Sequence, residues 1–176
     1  MQGSKLLVAG LAMAALGLGA AMPAAAAGSV KVDGTRFTLE VPECWHPGYK
    51  DVDEKLFMIF FKDPKSGAVL EGVHLRGAQA ATFGLADFKK ARIAGEDKRY
   101  EGKGHKVTKE GDVTIGGEKG LYLHTAWKDG AKEMEKHTAL HLKDGQRYLV
   151  VMAGEKGKVD KAVFDHAVQT LALVKH

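Results

Sequence analysis

The sequence predicts a single α+β domain in which one antiparallel β-sheet is covered by helices, an α/β/α sandwich, behind a leader that is removed. Three observations carry that reading. Period-two apolar runs separated by Asp-Gly, Gly-Gly and Asp-Pro turns fill most of the chain after residue 28. Period-3.6 runs occur in only two places, and the first 27 residues have a composition of their own. Strands that follow one another through tight turns pair antiparallel, and the apolar face of such a sheet needs a cover.

Residues 1–27 run from Lys5 through an apolar stretch, Leu6 to Met22, into Ala24-Ala25-Ala26-Ala27. A basic head, an apolar middle of that length and a small-residue end are the marks of a cleaved secretory signal peptide. A retained membrane anchor is the alternative, but Gly10, Gly17 and Gly19 make the stretch weakly hydrophobic, and Pro23 breaks it just before the small residues. A lipoprotein would need a cysteine at the cut, and the single cysteine is Cys44. Nothing after residue 27 is apolar for long enough to span a bilayer. Removing 27 residues from 176 leaves 149, residues 28–176, enough for one domain with a real apolar core. The expected location is the periplasm or the exterior, and the cleaved product is not expected to be an integral membrane protein.

Val30 to Asp33 and Arg36 to Val41 read as the first strands, joined at Asp33-Gly34, with Phe37, Leu39 and Val41 alternating against Thr38 and Glu40. Pro42 ends the second strand, and Pro47-Gly48 ends the segment that carries Cys44 and Trp45. Leu56 to Lys62 is densely apolar, as a strand covered on both faces requires, and Asp63-Pro64-Lys65-Ser66-Gly67 turns it back into Val69 to Leu75. Between Thr82 and Tyr100 the period becomes helical: Leu85, Phe88, Ala91 and Arg92 form a stripe, Asp87, Lys90 and Glu96 face out, and the helix frays at Gly95 or ends near Tyr100. Glu101 to His105 is a polar connection that lacks the Gly-Lys-Ser/Thr element of a phosphate cradle. A meander follows from Lys106, with strands Val107 to Val113, Lys119 to Lys128, Glu133 to Lys143 and Gln146 to Ala153 and turns at Gly116-Gly117, Asp129-Gly130 and Asp144-Gly145. Asp160 caps a last helix, with Val163, Phe164, Ala167, Val168 and Leu171 at helical spacing, before an apolar tail to Val174.

The segment Phe37-Thr38-Leu39-Glu40-Val41-Pro42-Glu43-Cys44-Trp45 resembles the opening F-x-L-x-V-P-x-x-W of PsbP-like domains. That group takes in the extrinsic photosystem II subunit, a Ran-binding nuclear transport factor and many exported bacterial proteins of unknown function. Ile115-Gly116-Gly117-Glu118-Lys119-Gly120 before a long strand, and Tyr148 to Ala153 followed by the Phe164 to Val174 helix and tail, match as well. The resemblance covers nearly the whole chain after the leader. It implies an antiparallel sheet sandwiched by helices, used as a binding or assembly module and not as an enzyme. It carries over no catalytic residue, because Phe37, Pro42, Trp45 and Gly117 are structural positions, and it does not carry over photosynthetic or Ran-binding roles.

The residues themselves also argue against an enzyme. There is no Gly-x-Ser-x-Gly elbow, no His-Glu-x-x-His pair and no Cys-x-x-Cys, and beyond the leader the only serines are Ser29 and Ser66. The 26 Lys and Arg stand against 22 Asp and Glu and are spread along the chain, without the basic cluster a nucleic-acid binder needs. The expected function is therefore an exported, soluble, non-enzymatic module without a cofactor, whose partner is another protein. Trp45, Tyr49 and Trp127 are the candidate anchors, provided they are exposed. One cysteine cannot form an internal disulfide; Cys44 is expected as a small buried hydrophobe beside Trp45, with a bridge to a second chain or a reactive thiol helped by His46 as alternatives.

The alternative function is metal binding of a copper type. With a two-residue Asp144-Gly145 turn, His137 falls opposite Met152; with a four-residue connection from Asp129 to Lys132, His124 falls opposite His137. His124, His137 and Met152 would then line one face of three adjacent strands, about 4.8 Å apart, close enough for two imidazoles and a thioether to share an ion. A two-residue turn at Asp129-Gly130 would dissolve the row by placing His124 opposite Glu135.

Overall fold

The computed structural model describes residues 29–33, 37–53, 56–76 and 82–174; residues 1–27, read from the sequence as a leader, lie outside them. Strand β1 (Ser29–Asp33) pairs with β2 (Phe37–Pro42), Asp33 opposite Thr38, and the turn between them lies outside the described residues. Then come β3 (Pro47–Asp53), β4 (Leu56–Lys62), β5 (Val69–Leu75), α1 (Leu85–Arg99), β6 (Lys106–Ile115), β7 (Glu118–Asp129), β8 (Lys132–Lys143), β9 (Gln146–Glu155), α2 (Lys161–Thr170) and the two-residue β10 (Ala172–Leu173).

Seven of the strands form one antiparallel sheet in the order β3-β4-β5-β9-β8-β7-β6. Two meanders, β3 to β5 and β6 to β9, meet where β5 pairs with β9, Val69 opposite Ala153. The turns obey their chemistry. At the β4–β5 corner Asp63 accepts from the Lys65 amide (2.9 Å) and the Ser66 hydroxyl (2.5 Å), and this side-chain turn reverses the chain. At β8–β9, Asp144 (φ 51°) and Gly145 (φ 71°) make the left-handed two-residue turn that suits the twist of a hairpin. At β7–β8 the closing pair is Asp129 opposite Lys132, one residue later than the Asp-Gly dipeptide alone suggests.

Each face of the large sheet has its own core. On one, Val73, Leu123, Leu140, Leu149 and Val151 pack with Phe88 of α1. On the other, Ile59, Leu70, Tyr148, Val150 and Met152 pack against Val163, Phe164, Ala167 and Val168 of α2 and against Phe37, Leu39 and Val41 of β2. The second cover is thus only partly helical. A small sheet, β1-β2-β10, shares it with α2, so the sandwich of one sheet between helices needs correction. The apolar tail after α2 supplies β10, which pairs with β2 through Leu173 opposite Phe37. Where the two sheets touch, Gly72 leaves the room: a Cβ there would lie 2.6 Å from Leu39 and 2.8 Å from Phe37.

Two further expectations change. Pro47-Gly48 begins β3 instead of ending a segment, because β3 is an edge strand and a proline at its first position removes no ladder bond it needs. Glu96 faces inward, not outward. It is buried because Arg92, Lys136 and His105 surround it, at 2.6, 2.7 and 3.3 Å. The helix runs through Gly95 without fraying and stops at Arg99. Among the described residues no helix is long and apolar enough to cross a membrane.

Candidate functional site

The ladders of the meander place His124 of β7 opposite His137 of β8, and His137 opposite Met152 of β9. Side chains alternate along a strand, so Glu135, two residues before His137, points to the same face. One ligand atom from each of His124, Glu135 and His137 lies within 4.8 Å of the other two. The two imidazoles stack at 4.6 Å with their planes 21° apart, and Phe164 of α2 packs 5.5 Å from His137. Met152 is fully buried within the apolar core, and the polar donor that joins the two histidines is the Glu135 carboxylate.

Each of the three is held from behind. Tyr122 Oη lies 2.7 Å from His137 Nδ1, Thr108 Oγ1 lies 2.6 Å from His124 Nδ1, and Glu135 Oε1 accepts from the Gly157 amide at 2.7 Å. Thr108 Oγ1 also lies 3.0 Å from the His124 carbonyl. On the other side of the ring His124 Nε2 faces Glu135 Oε2 at 3.1 Å. Burial, reinforced by the nearby His124, pushes His137 down to about 4, so this ring is neutral at neutral pH. Two imidazoles and a carboxylate, each oriented by a hydrogen bond on its far side, make a donor set that suits a divalent ion of the zinc class. A carboxylate in place of a thioether makes the donor set harder than the copper-type row the sequence suggests.

The fold built around this cluster has counterparts. The chain superposes on the solution structure of cyanobacterial PsbP (CyanoP) from Synechocystis with a TM-score of 0.65 at 12% identity, over 89% of this chain and 98% of that one. The protein has a PsbP-like fold. A structure from Bacteroides thetaiotaomicron matches less closely, with a TM-score of 0.54 and 17% identity over 85% of this chain and 49% of that one. At these identities the likeness speaks for the fold alone. No protein-family model matches the sequence, and no curated protein matches it.

Within the PsbP-like fold the other candidates separate. Trp45 (5% exposed) belongs to the core under the small sheet. Trp127 (8% exposed) stacks on Tyr100 at 4.5 Å, with Lys136 Nζ 5.4 Å above it. Neither tryptophan is an exposed anchor. Tyr49 lies in β3, and its side chain is outside the described residues. Cys44 is exposed, against the expectation of a buried hydrophobe. The turn that brings the Trp45 amide to the Pro42 carbonyl, at 2.9 Å, sends the indole inward and leaves Cys44 and His46 outside. Glu135 was not among the sequence candidates, although its two-residue spacing to His137 carries the signal. Thr108 carries none, because it reaches the site through a bulge in β6 between Val107 and Lys109 that no turn residue announces.

Proposed function

We infer that the protein is an exported, non-enzymatic module that binds a divalent transition metal of the zinc class through His124, Glu135 and His137. The observation that carries this is the convergence of three donors within 4.8 Å, each with its far atom already committed to a hydroxyl or an amide. Orienting the ligands before the ion arrives removes much of the entropic cost of binding. The leader-like residues 1–27 support export, and the absence of any nucleophile–base constellation in the sequence supports a binding role. A protein partner takes second place, since Trp45 and Trp127 are inside the fold.

Isothermal titration of the chelator-free protein with zinc chloride tests the reading. One ion per chain is expected, with affinity falling about 100-fold or more in His137→Ala and in Glu135→Gln, and unchanged in Met152→Leu. Glu135→Gln keeps the shape of a partly exposed side chain and guards against a folding defect in the histidine variant. A wild-type protein that takes up no zinc, or variants that bind as well as it does, would overturn the proposal.

A further inference from the structure

On the face of the sheet away from the histidines, α1 leaves a cleft of about 320 Å³ against β5 and β9. Phe88, Ala91 and Leu75 form its apolar side, and Arg92, Arg99 and Arg147 its polar side. The volume sits at the lower end of the roughly 300–1,000 Å³ that small-molecule sites occupy. We propose that this cleft is a second ligand site, for a small anionic amphiphile: a phosphate or carboxylate head on a short apolar chain. The inference is independent of the metal reading.

Charge is the first argument. Against the three guanidinium groups the cleft offers one carboxylate, Glu96, and that carboxylate already faces Lys136 at 2.7 Å and His105 at 3.3 Å as well as Arg92 at 2.6 Å. Positive charge is therefore crowded around a single carboxylate. The second argument is an orphaned donor. Arg147 Nε is buried without a hydrogen-bond partner, although its guanidinium is held 5.9 Å from the Phe88 ring. A planar fork kept in place by an aromatic ring beside an apolar wall suits a phosphate or carboxylate oxygen.

The third argument is Gly95. It stands inside α1 on the stripe Phe88, Ala91, Arg92, Arg99 that faces the cleft. Glycine is the weakest helix former after proline, and here no close approach excuses it: a Cβ would meet nothing within 4 Å. The open space beside it is room for a ligand chain.

The test is calorimetric titration with octyl phosphate, octanoate, inorganic phosphate and octyltrimethylammonium. Saturable binding of octyl phosphate or octanoate at one site is expected, roughly 100-fold tighter than inorganic phosphate, because buried methylenes supply most of the affinity. The ammonium amphiphile should not bind. Arg147→Met should weaken binding about tenfold or more, and Gly95→Leu, which fills the cleft, should abolish it while leaving zinc uptake unchanged. Gly95→Ala should raise the melting temperature by about 2–4 °C, a check that the helix tolerates a side chain there. No binding of either anionic amphiphile, binding unaffected by Arg147→Met and Gly95→Leu, or inorganic phosphate bound as tightly as octyl phosphate would each overturn the proposal.

Discussion

Thr108 ties a backbone irregularity to the chemistry of the site. It is the extra residue of the β6 bulge, and only that displacement lets its hydroxyl bridge the His124 carbonyl and Nδ1. Replacing it with valine keeps the shape and removes the hydroxyl that orients the His124 ring. Thr108→Val is therefore expected to lower zinc affinity about 10- to 100-fold with an unchanged far-UV circular dichroism spectrum. If the affinity holds, His124 is oriented by something else. The same residue-scale logic explains Glu96. A carboxylate on a mostly exposed helix reads as solvated, and Lys136 from β8 and His105 beyond the helix, together with Arg92, supply the reason to bury it.

Among the elements, α2 has the clearest start signal. Asp160 accepts from the amides of Ala162 and Val163 at 2.9 and 3.4 Å, so Asp160→Ala should cost about 1 kcal/mol in a urea unfolding experiment; no loss would mean that packing of Phe164 and Val168 alone holds the helix end. That cap was readable in advance, as was the meander, because Asp-Gly and Gly-Gly mark hairpins by local conformation; the register that sets His124 opposite His137 was one of two the sequence left open, and the closing pair Asp129–Lys132 selects it. What stayed hidden depended on distant chain. Two residues after α2 become β10 only because β2, more than a hundred and thirty residues earlier, lies beside them. The site divides the same way. Its two histidines followed from one of the two turn counts, whereas Glu135 was not among the candidate ligands, and Thr108 and the Gly157 amide come from a bulge and a loop that carry no pattern of their own.

For the molecule as a whole, the buried cluster at Lys136 makes a signature in the pH dependence of stability. Burial pulls Lys136 down from 10.5 to about 8. Between those values the unfolded chain holds a proton that the folded one has released, so stability from this group rises as pH rises through that window. Tyr100, raised by burial, works the other way only above its ordinary value of 10. From pH 8 to 10 the denaturation midpoint should therefore climb, and Lys136→Met should flatten the climb; equal slopes would mean that the ammonium is solvated. A last consequence concerns time. The inner strand of the small sheet, β2, has β1 as one neighbour and β10 as the other, and its Glu40 amide reaches Thr170 Oγ1 across 130 residues at 3.0 Å. The large sheet can be assembled as the chain emerges, but the core beneath β2 has no lid until nearly the last residue is delivered. Closure over so long a stretch of chain is slow, so this half of the core is expected to be the last to form.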